Sequence, residues 1–119
     1  MFSEVILLRL CTFASGSSGN CALVSRGGTH VLLDAGISAR RITRALAEQD
    51  LAPEHLSAIV ITHEHTDHIA GLAVLTKRRP IPIYASTGTA RALTSQLPEL
   101  SDLLHPFSAG TASLSGTCW

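Results

Sequence analysis

Aromatic side chains are scarce in this chain, with three Phe, one Tyr and one Trp among 119 residues. Its core must therefore be assembled mainly from Leu, Ile, Val and Ala. Net charge is lacking too, because nine Lys and Arg balance nine Asp and Glu. That removes the global electrostatic signature of a protein that holds nucleic acid by counterion release. Local basic runs do exist, Arg40, Arg41 and Arg44 in one and Lys77, Arg78 and Arg79 in the other. Solvated helix ends explain such runs more simply than phosphate contacts do. No apolar stretch approaches the length a membrane span requires. The patch Val5-Ile6-Leu7-Leu8 follows Glu4 and is cut by Arg9, with no basic start and no small-residue cleavage site, unlike a secretory signal. Cysteine is limited to Cys11, Cys21 and Cys118, odd in number and without metal-ligand spacing, which suits a reducing compartment. Together these absences lead to the expectation of a soluble, cytoplasmic protein with no membrane partner.

What is present is the material of one globular unit. An apolar fraction of 45% with 15% charged residues argues against disorder, and no repeat or linker divides the chain, so residues 1–119 are expected to form a single domain. The first part reads as a meander of short strands: Val5 to Phe13, Cys21 to Ser25 and His30 to Leu33. These are separated by the turn-forming clusters Ser15-Gly16-Ser17-Ser18-Gly19-Asn20 and Arg26-Gly27-Gly28. Ser38 then offers an N-cap to a helix whose Ile42, Ala45 and Leu46 recur at helical spacing. The run Ala58-Ile59-Val60-Ile61 is uninterrupted and apolar, the pattern of a central strand covered on both faces. A second helix is expected from Ile69 to about Lys77, stopped by Pro80. Ile81 to Tyr84 follows as a short strand kept off the centre of a sheet by Pro82, and Ser86 caps a third helix running to about Gln96. Past Leu100 the pattern fades, with one further strand at most begun between Ser108 and Trp119. Strands leading into helices after an initial meander specify an α/β layered architecture.

The chemistry is concentrated in His63-Glu64-His65-Thr66-Asp67-His68, directly behind the apolar strand. In extended backbone, residues two apart face the same side, so His63 and His65 can converge on one ion. Asp67 joins them if the extension continues, and His68 turns toward a second ion as the next helix begins. Imidazole donors with a carboxylate suit zinc, manganese or iron better than magnesium or calcium. Two such ions about 3.5–4 Å apart activate water and clamp a scissile ester or phosphate. The plainer alternative is a polar loop in which Asp67 caps the following helix and the histidines are merely solvated.

The segment Thr62-His63-Glu64-His65-Thr66-Asp67-His68-Ile69-Ala70-Gly71-Leu72 resembles the metal-binding signature of the metallo-β-lactamase superfamily. Upstream, Leu32-Leu33-Asp34-Ala35-Gly36 is similar to that superfamily's aspartate motif. Ala14-Ser15-Gly16-Ser17-Ser18-Gly19-Asn20-Cys21 resembles the first loop of its WalJ (YycJ)-like branch, associated with DNA exonuclease activity. The resemblance implies the first half of an αββα sandwich. It implies two divalent transition-metal ions, Zn or Mn, the first held by His63 and His65 and the second by Asp67 and His68. Asp67 would also position the attacking water. Asp34 would support a ligand imidazole from behind, against the plainer reading of a turn-forming Asp after a strand. The loop Ser15, Gly16, Ser17, Ser18, Gly19, Asn20 would offer N–H groups and hydroxyls to a substrate phosphate, or serve only as a hairpin turn.

The chain departs from the family in length. The superfamily's remaining ligands, two histidines and a bridging aspartate, lie in a second half with no counterpart here. His105 precedes the place where the first of them would begin, and with His30, His55 and Glu64 it is expected to be structural or solvent-facing. A catalytic zinc usually takes three protein ligands and an open position, so four donors shared by two ions hold both weakly. A second sheet would be missing as well, leaving apolar surface exposed. The leading expectation is therefore a metal-dependent hydrolase, a phosphodiesterase or 5′-3′ exonuclease acting on a DNA end, impaired in this short form. A glyoxalase-type thioester or lactone hydrolase and an inactive truncated domain with a residual binding role are the alternatives.

Overall fold

The computed structural model describes residues 8–108. Cys118, the expected start of the first strand at Val5 and the expected strand within 109–119 lie outside the described residues. Six strands form one sheet in the order of the chain: β1 (Arg9–Ala14), β2 (Cys21–Arg26), β3 (Thr29–Leu33), β4 (Ala58–Ile61), β5 (Ile83–Ser86) and β6 (Leu104–Phe107). The first three are an antiparallel meander, while β3, β4, β5 and β6 run parallel. Parallel neighbours need crossovers. These are α1 (Ala39–Ala47), the pair α2 (Thr66–Ile69) and α3 (Leu72–Arg78), and α4 (Thr87–Gln96) followed by a 3-10 turn at Pro98–Leu103.

Capping explains where two of the helices begin. The Ser38 side chain accepts from the Arg41 N–H at the start of α1, and the Ser86 side chain accepts from the Thr89 N–H at the start of α4. In α1, Ile42 and Leu46 lie one turn apart and are fully buried, while Arg40, Arg41 and Arg44 are exposed. Lys77, Arg78 and Arg79 are exposed where α3 ends, so both basic runs are solvated.

One face of the sheet carries the core. Register aligns Cys11, Leu23, Leu32, Ile59, Ile83 and Leu104 in a single row across all six strands. That row packs with Ile42, Leu46, Leu72, Leu75 and Leu93 of the helices in one cluster. The adjacent row on the opposite face, Ala22, Leu33, Val60, Tyr84 and His105, is half-buried to exposed.

Four expectations change. β4 is central but its faces are unequally covered: Ile59 and Ile61 are buried, whereas Ala58 and Val60 are half-buried. The single helix expected from Ile69 to Lys77 is two, α2 starting earlier at Thr66 and α3 restarting after Gly71. A β-carbon on Gly71 would overlap the Ile37 carbonyl, so the break falls where the chain passes closest to the α1 loop. β5 is not at an edge, since it pairs with β4 and β6. Pro82 precedes the strand and contributes only its carbonyl, to the Ile59 N–H, so its missing donor costs the ladder nothing. Finally, β6 forms at Leu104–Phe107, where the sequence pattern had already faded.

Candidate metal centre

Topology alone gathers the distant motifs. Parallel β3 and β4 end side by side, Leu33 opposite Val60, so Asp34 emerges next to Thr62 although 28 positions separate them. Antiparallel β2 starts where β3 ends, Ala22 opposite Leu33, which brings the loop of residues 15–20 to the same rim. This rim lies at the carboxyl ends of the parallel strands, the usual ligand-binding edge of open α/β sheets.

Asp34 is the hub. Its backbone is left-handed (φ 63), a conformation that Asp tolerates better than most side chains, and its N–H donates to the Val60 carbonyl at 2.7 Å. The carboxylate is nearly buried and accepts from the Thr62 N–H (2.8 Å), the Thr62 hydroxyl (2.8 Å) and His68 Nδ1 (2.9 Å). A carboxylate only accepts, so His68 carries its proton on Nδ1 and turns Nε2 outward as the lone-pair nitrogen. The Thr62 hydroxyl spends its hydrogen on Asp34 and is left to accept from His63 Nδ1 at 3.1 Å. Two imidazoles are thereby oriented through one carboxylate, each held by its Nδ1.

The rings of His63 and His68 lie 4.9 Å apart, those of His63 and His65 6.1 Å apart, and His68 Nε2 is 3.7 Å from Asp67 Oδ2. His63 and His65 are exposed, and Asp67 and His68 are half-buried. Extension does not continue through the motif. His65 is the N-cap residue of α2, and Asp67 sits in that helix's first turn rather than on an extended strand. Adjacent helical side chains diverge by about 100°, so the 3.7 Å between Asp67 Oδ2 and His68 Nε2 comes from the side-chain conformations and not from the alternation of a strand. The donor chemistry suits a transition-metal ion: three imidazoles, one carboxylate and a carboxylate-supported tautomer on one rim. Among the described residues, however, no group of three or more His, Cys, Asp or Glu side chains is arranged to hold an ion by itself. The four donors are neighbours without closing on a common point.

The other sequence candidates resolve individually. Gly16 and Gly19 adopt positive φ of 127 and 150, as the tight turn of residues 15–20 requires, and Ser15, Ser17 and Ser18 are exposed. Three of the loop's N–H groups are spent inside the protein. That of Gly16 goes to Asn20 Oδ1, that of Gly19 to the Gly16 carbonyl and that of Asn20 to the Asp67 carbonyl. The cradle expected for a phosphate is thus reduced to the segment around Ser17 and Ser18. His105 is exposed and stacks on Tyr84 at 5.0 Å, on the open face away from the rim. His30 pairs with Ser25 (2.7 Å), His55 Nδ1 accepts from the Ala52 N–H, and Glu64 is half-buried rather than fully solvated. Cys21 is buried next to the site, and burial, with the nearby Asp34 charge adding to it, pushes its thiol up to about 12. Asn20, expected in a substrate loop, bonds Asp67 instead, and Thr62, expected only as part of the motif, bonds Asp34. Their roles depend on partners up to 47 positions away, which spacing does not reveal.

A family model described as the metallo-beta-lactamase superfamily matches residues 14–110. The chain belongs to the metallo-β-lactamase superfamily. Its fold is the α/β first half of that superfamily's sandwich, and the family generally binds divalent metal ions in dinuclear sites. Exodeoxyribonuclease WalJ of Streptococcus pneumoniae is 46% identical over 80 residues, covering 67% of this chain and 30% of that protein. Exodeoxyribonuclease YycJ of Bacillus anthracis is 34% identical over 110 residues, covering 92% of this chain and 42% of that protein. Among solved structures, a flavo di-iron protein variant from Thermotoga maritima superposes with a TM-score of 0.67 at 23% identity. The match covers 82% of this chain and 25% of that one, a likeness of fold. The chain thus spans well under half the length of the relatives it matches.

Proposed function

We propose that the rim built by His63, His65, Asp67 and His68 is part of a metal-dependent phosphodiesterase site that trims DNA from a 5′ end. The observation that carries this reading is the Asp34 hub, which fixes the tautomer of His68 and, through Thr62, of His63. Solvated loop histidines would need no such orientation. His63 and His65 are assigned to a first Zn or Mn ion, and Asp67 and His68 to a second. Such a pair supplies an activated water and a clamp on the phosphate. Asp67 positions that water, and the exposed hydroxyls of Ser15, Ser17 and Ser18 lie along the approach to the rim. The exodeoxyribonuclease names of the two relatives favour a phosphodiester over a thioester or lactone, and a DNA substrate implies the cytoplasm. No helix among the described residues is long and apolar enough to cross a membrane.

A second reading concerns how well this chain works alone. The donors do not close on an ion by themselves, and the described residues supply only one helical layer on one sheet. We therefore propose that residues 1–119 are one incomplete domain, with weak metal affinity and slow turnover. Metal content by mass spectrometry, followed by assay on 5′-phosphorylated single-stranded DNA and on a lactoyl thioester, tests both readings. Metal-dependent release of nucleotides that disappears in His65→Ala is expected, at a low rate. Thioester cleavage without DNA cleavage would replace the substrate class, and turnover at ordinary enzymatic rates would overturn the incompleteness.

A further inference from the structure

We propose that Asn20 is a positioning residue that holds Asp67 in register with His68, so that the loop of residues 15–20 acts as a brace of the metal centre. This rests on the metal-site reading above. The Asn20 amide is fully committed. Its Oδ1 accepts from the Gly16 N–H (3.1 Å), which fixes the orientation of the group. Its Nδ2 donates one hydrogen to the Gly16 carbonyl (2.9 Å) and shares the other between the Asp67 carbonyl (3.2 Å) and Asp67 Oδ2 (3.3 Å). The backbone reinforces the grip, with the Asn20 N–H donating to the Asp67 carbonyl at 2.7 Å and the Gly36 N–H donating to the Asn20 carbonyl at 2.8 Å.

Closing the turn explains only half of this. The two bonds to Gly16 would satisfy a residue whose task was to shape residues 15–20. The remaining bonds leave the loop and reach a residue 47 positions away, at both its backbone and its carboxylate. The Asp67 carboxylate has a hydrogen bond from Asn20 and an ion-pair contact with His68, both at Oδ2. Asn20 therefore decides where that oxygen stands relative to His68 Nε2, 3.7 Å away. Asp34 does the same for His68 from the other partner of the pair. Each proposed donor of the second ion is thus held by one residue of an upstream loop: His68 by Asp34 and Asp67 by Asn20.

The test separates the brace from the metal reading. In metal-free full-length chain, the side-chain amide protons of Asn20 should exchange slowly and shift on Asp67→Ala; amide protons that exchange freely or ignore that substitution overturn the brace. With Co(II) as probe, Asn20→Asp keeps an acceptor for the Gly16 N–H but replaces the donor with a repelling oxygen. It should weaken Co(II) binding by about 10–100-fold and alter the visible absorption of bound Co(II). Asn20→Ser is the second variant in case Asn20→Asp does not fold, and it should show a smaller loss of the same sign. Unchanged affinity and spectrum in either folded variant overturn the inference while leaving the metal site standing. Co(II) binding by wild type that survives His63→Ala together with His65→Ala and Asp67→Asn sinks the metal reading itself, and the proposed role of Asn20 with it.

Discussion

The two faces of the same six-stranded sheet meet different fates. On one face Leu23, Leu32, Ile59 and Ile83 are 3%, 0%, 0% and 0% exposed beneath the helices. On the other, Ala22, Leu33, Val60 and Tyr84 lie only half-buried and Leu10 is 67% exposed, Val31 at 4% being the buried exception. The rows differ in composition, since the open one includes Tyr84 and ends on His105, and the helices pack on the other. The covered face holds the fold together, and the rim where that side meets the loops holds the candidate site.

The sharpest way to break the comparison is at the seam between the helix-bearing side and the loops. A β-carbon on Gly36 would overlap the Asp67 carbonyl and crowd the Asn20 N–H. Both are backbone, so no side chain can swing away. Gly36→Ala is expected to cost upwards of about 4 kcal/mol, the range of severe steric mutants, and to unfold much of the protein in a urea titration. Next in size, Leu32→Ala on the covered face should cost about 2–5 kcal/mol, whereas Val60→Ala on the open face should cost about 1 kcal/mol or less. Equal costs would mean that something covers the open face in solution. Asp34→Asn tests whether the rim is tuned for metal beyond its part in the fold. Asn keeps the left-handed backbone accessible but replaces one oxygen with an amide donor, so either the Thr62 N–H on Oδ1 or the Thr62 hydroxyl and His68 Nδ1 on Oδ2 lose their acceptor. Metal affinity by calorimetry should fall about 10–100-fold, and a variant that binds metal like wild type would remove Asp34 from the site. The smallest effect concerns Cys21 on the covered side. Its thiol is raised from 9.0 to about 12, so the unfolded chain ionises first and stability falls as pH climbs from 9.0 toward 12. Below pH 9.0 that contribution is complete. Cys21→Ala should lose this part of the alkaline slope, and an identical slope in both proteins would show that the thiol is accessible.

Much of this was legible in the residues. Strand and helix positions followed from alternation, capping serines and glycine turns, and the dense His63 to His68 run behind an apolar strand pointed to the rim where the candidate site lies. The errors share a cause. Pro82 suggested an edge and Ala58 to Ile61 suggested a doubly covered strand, but both depend on which neighbours pair and pack, and a local pattern carries no information about neighbours. The break at Gly71 likewise answers to the Ile37 carbonyl across the rim. Asn20 looked like one more turn residue because the bond that distinguishes it reaches Asp67.

The sequence by itself determined the donor types, their order and the α/β alternation, since these rest on side-chain chemistry and on periodicities of two and about four residues. Only the tertiary structure decided which donors are held. Parallel pairing of β3 with β4 sets Asp34 against Thr62 and His68, and the meander brings Asn20 to Asp67, leaving His65 without a comparable brace. The physical reason is that a hydrogen bond is specified by position in space to within a fraction of an ångström, and only strand register fixes such positions across dozens of residues.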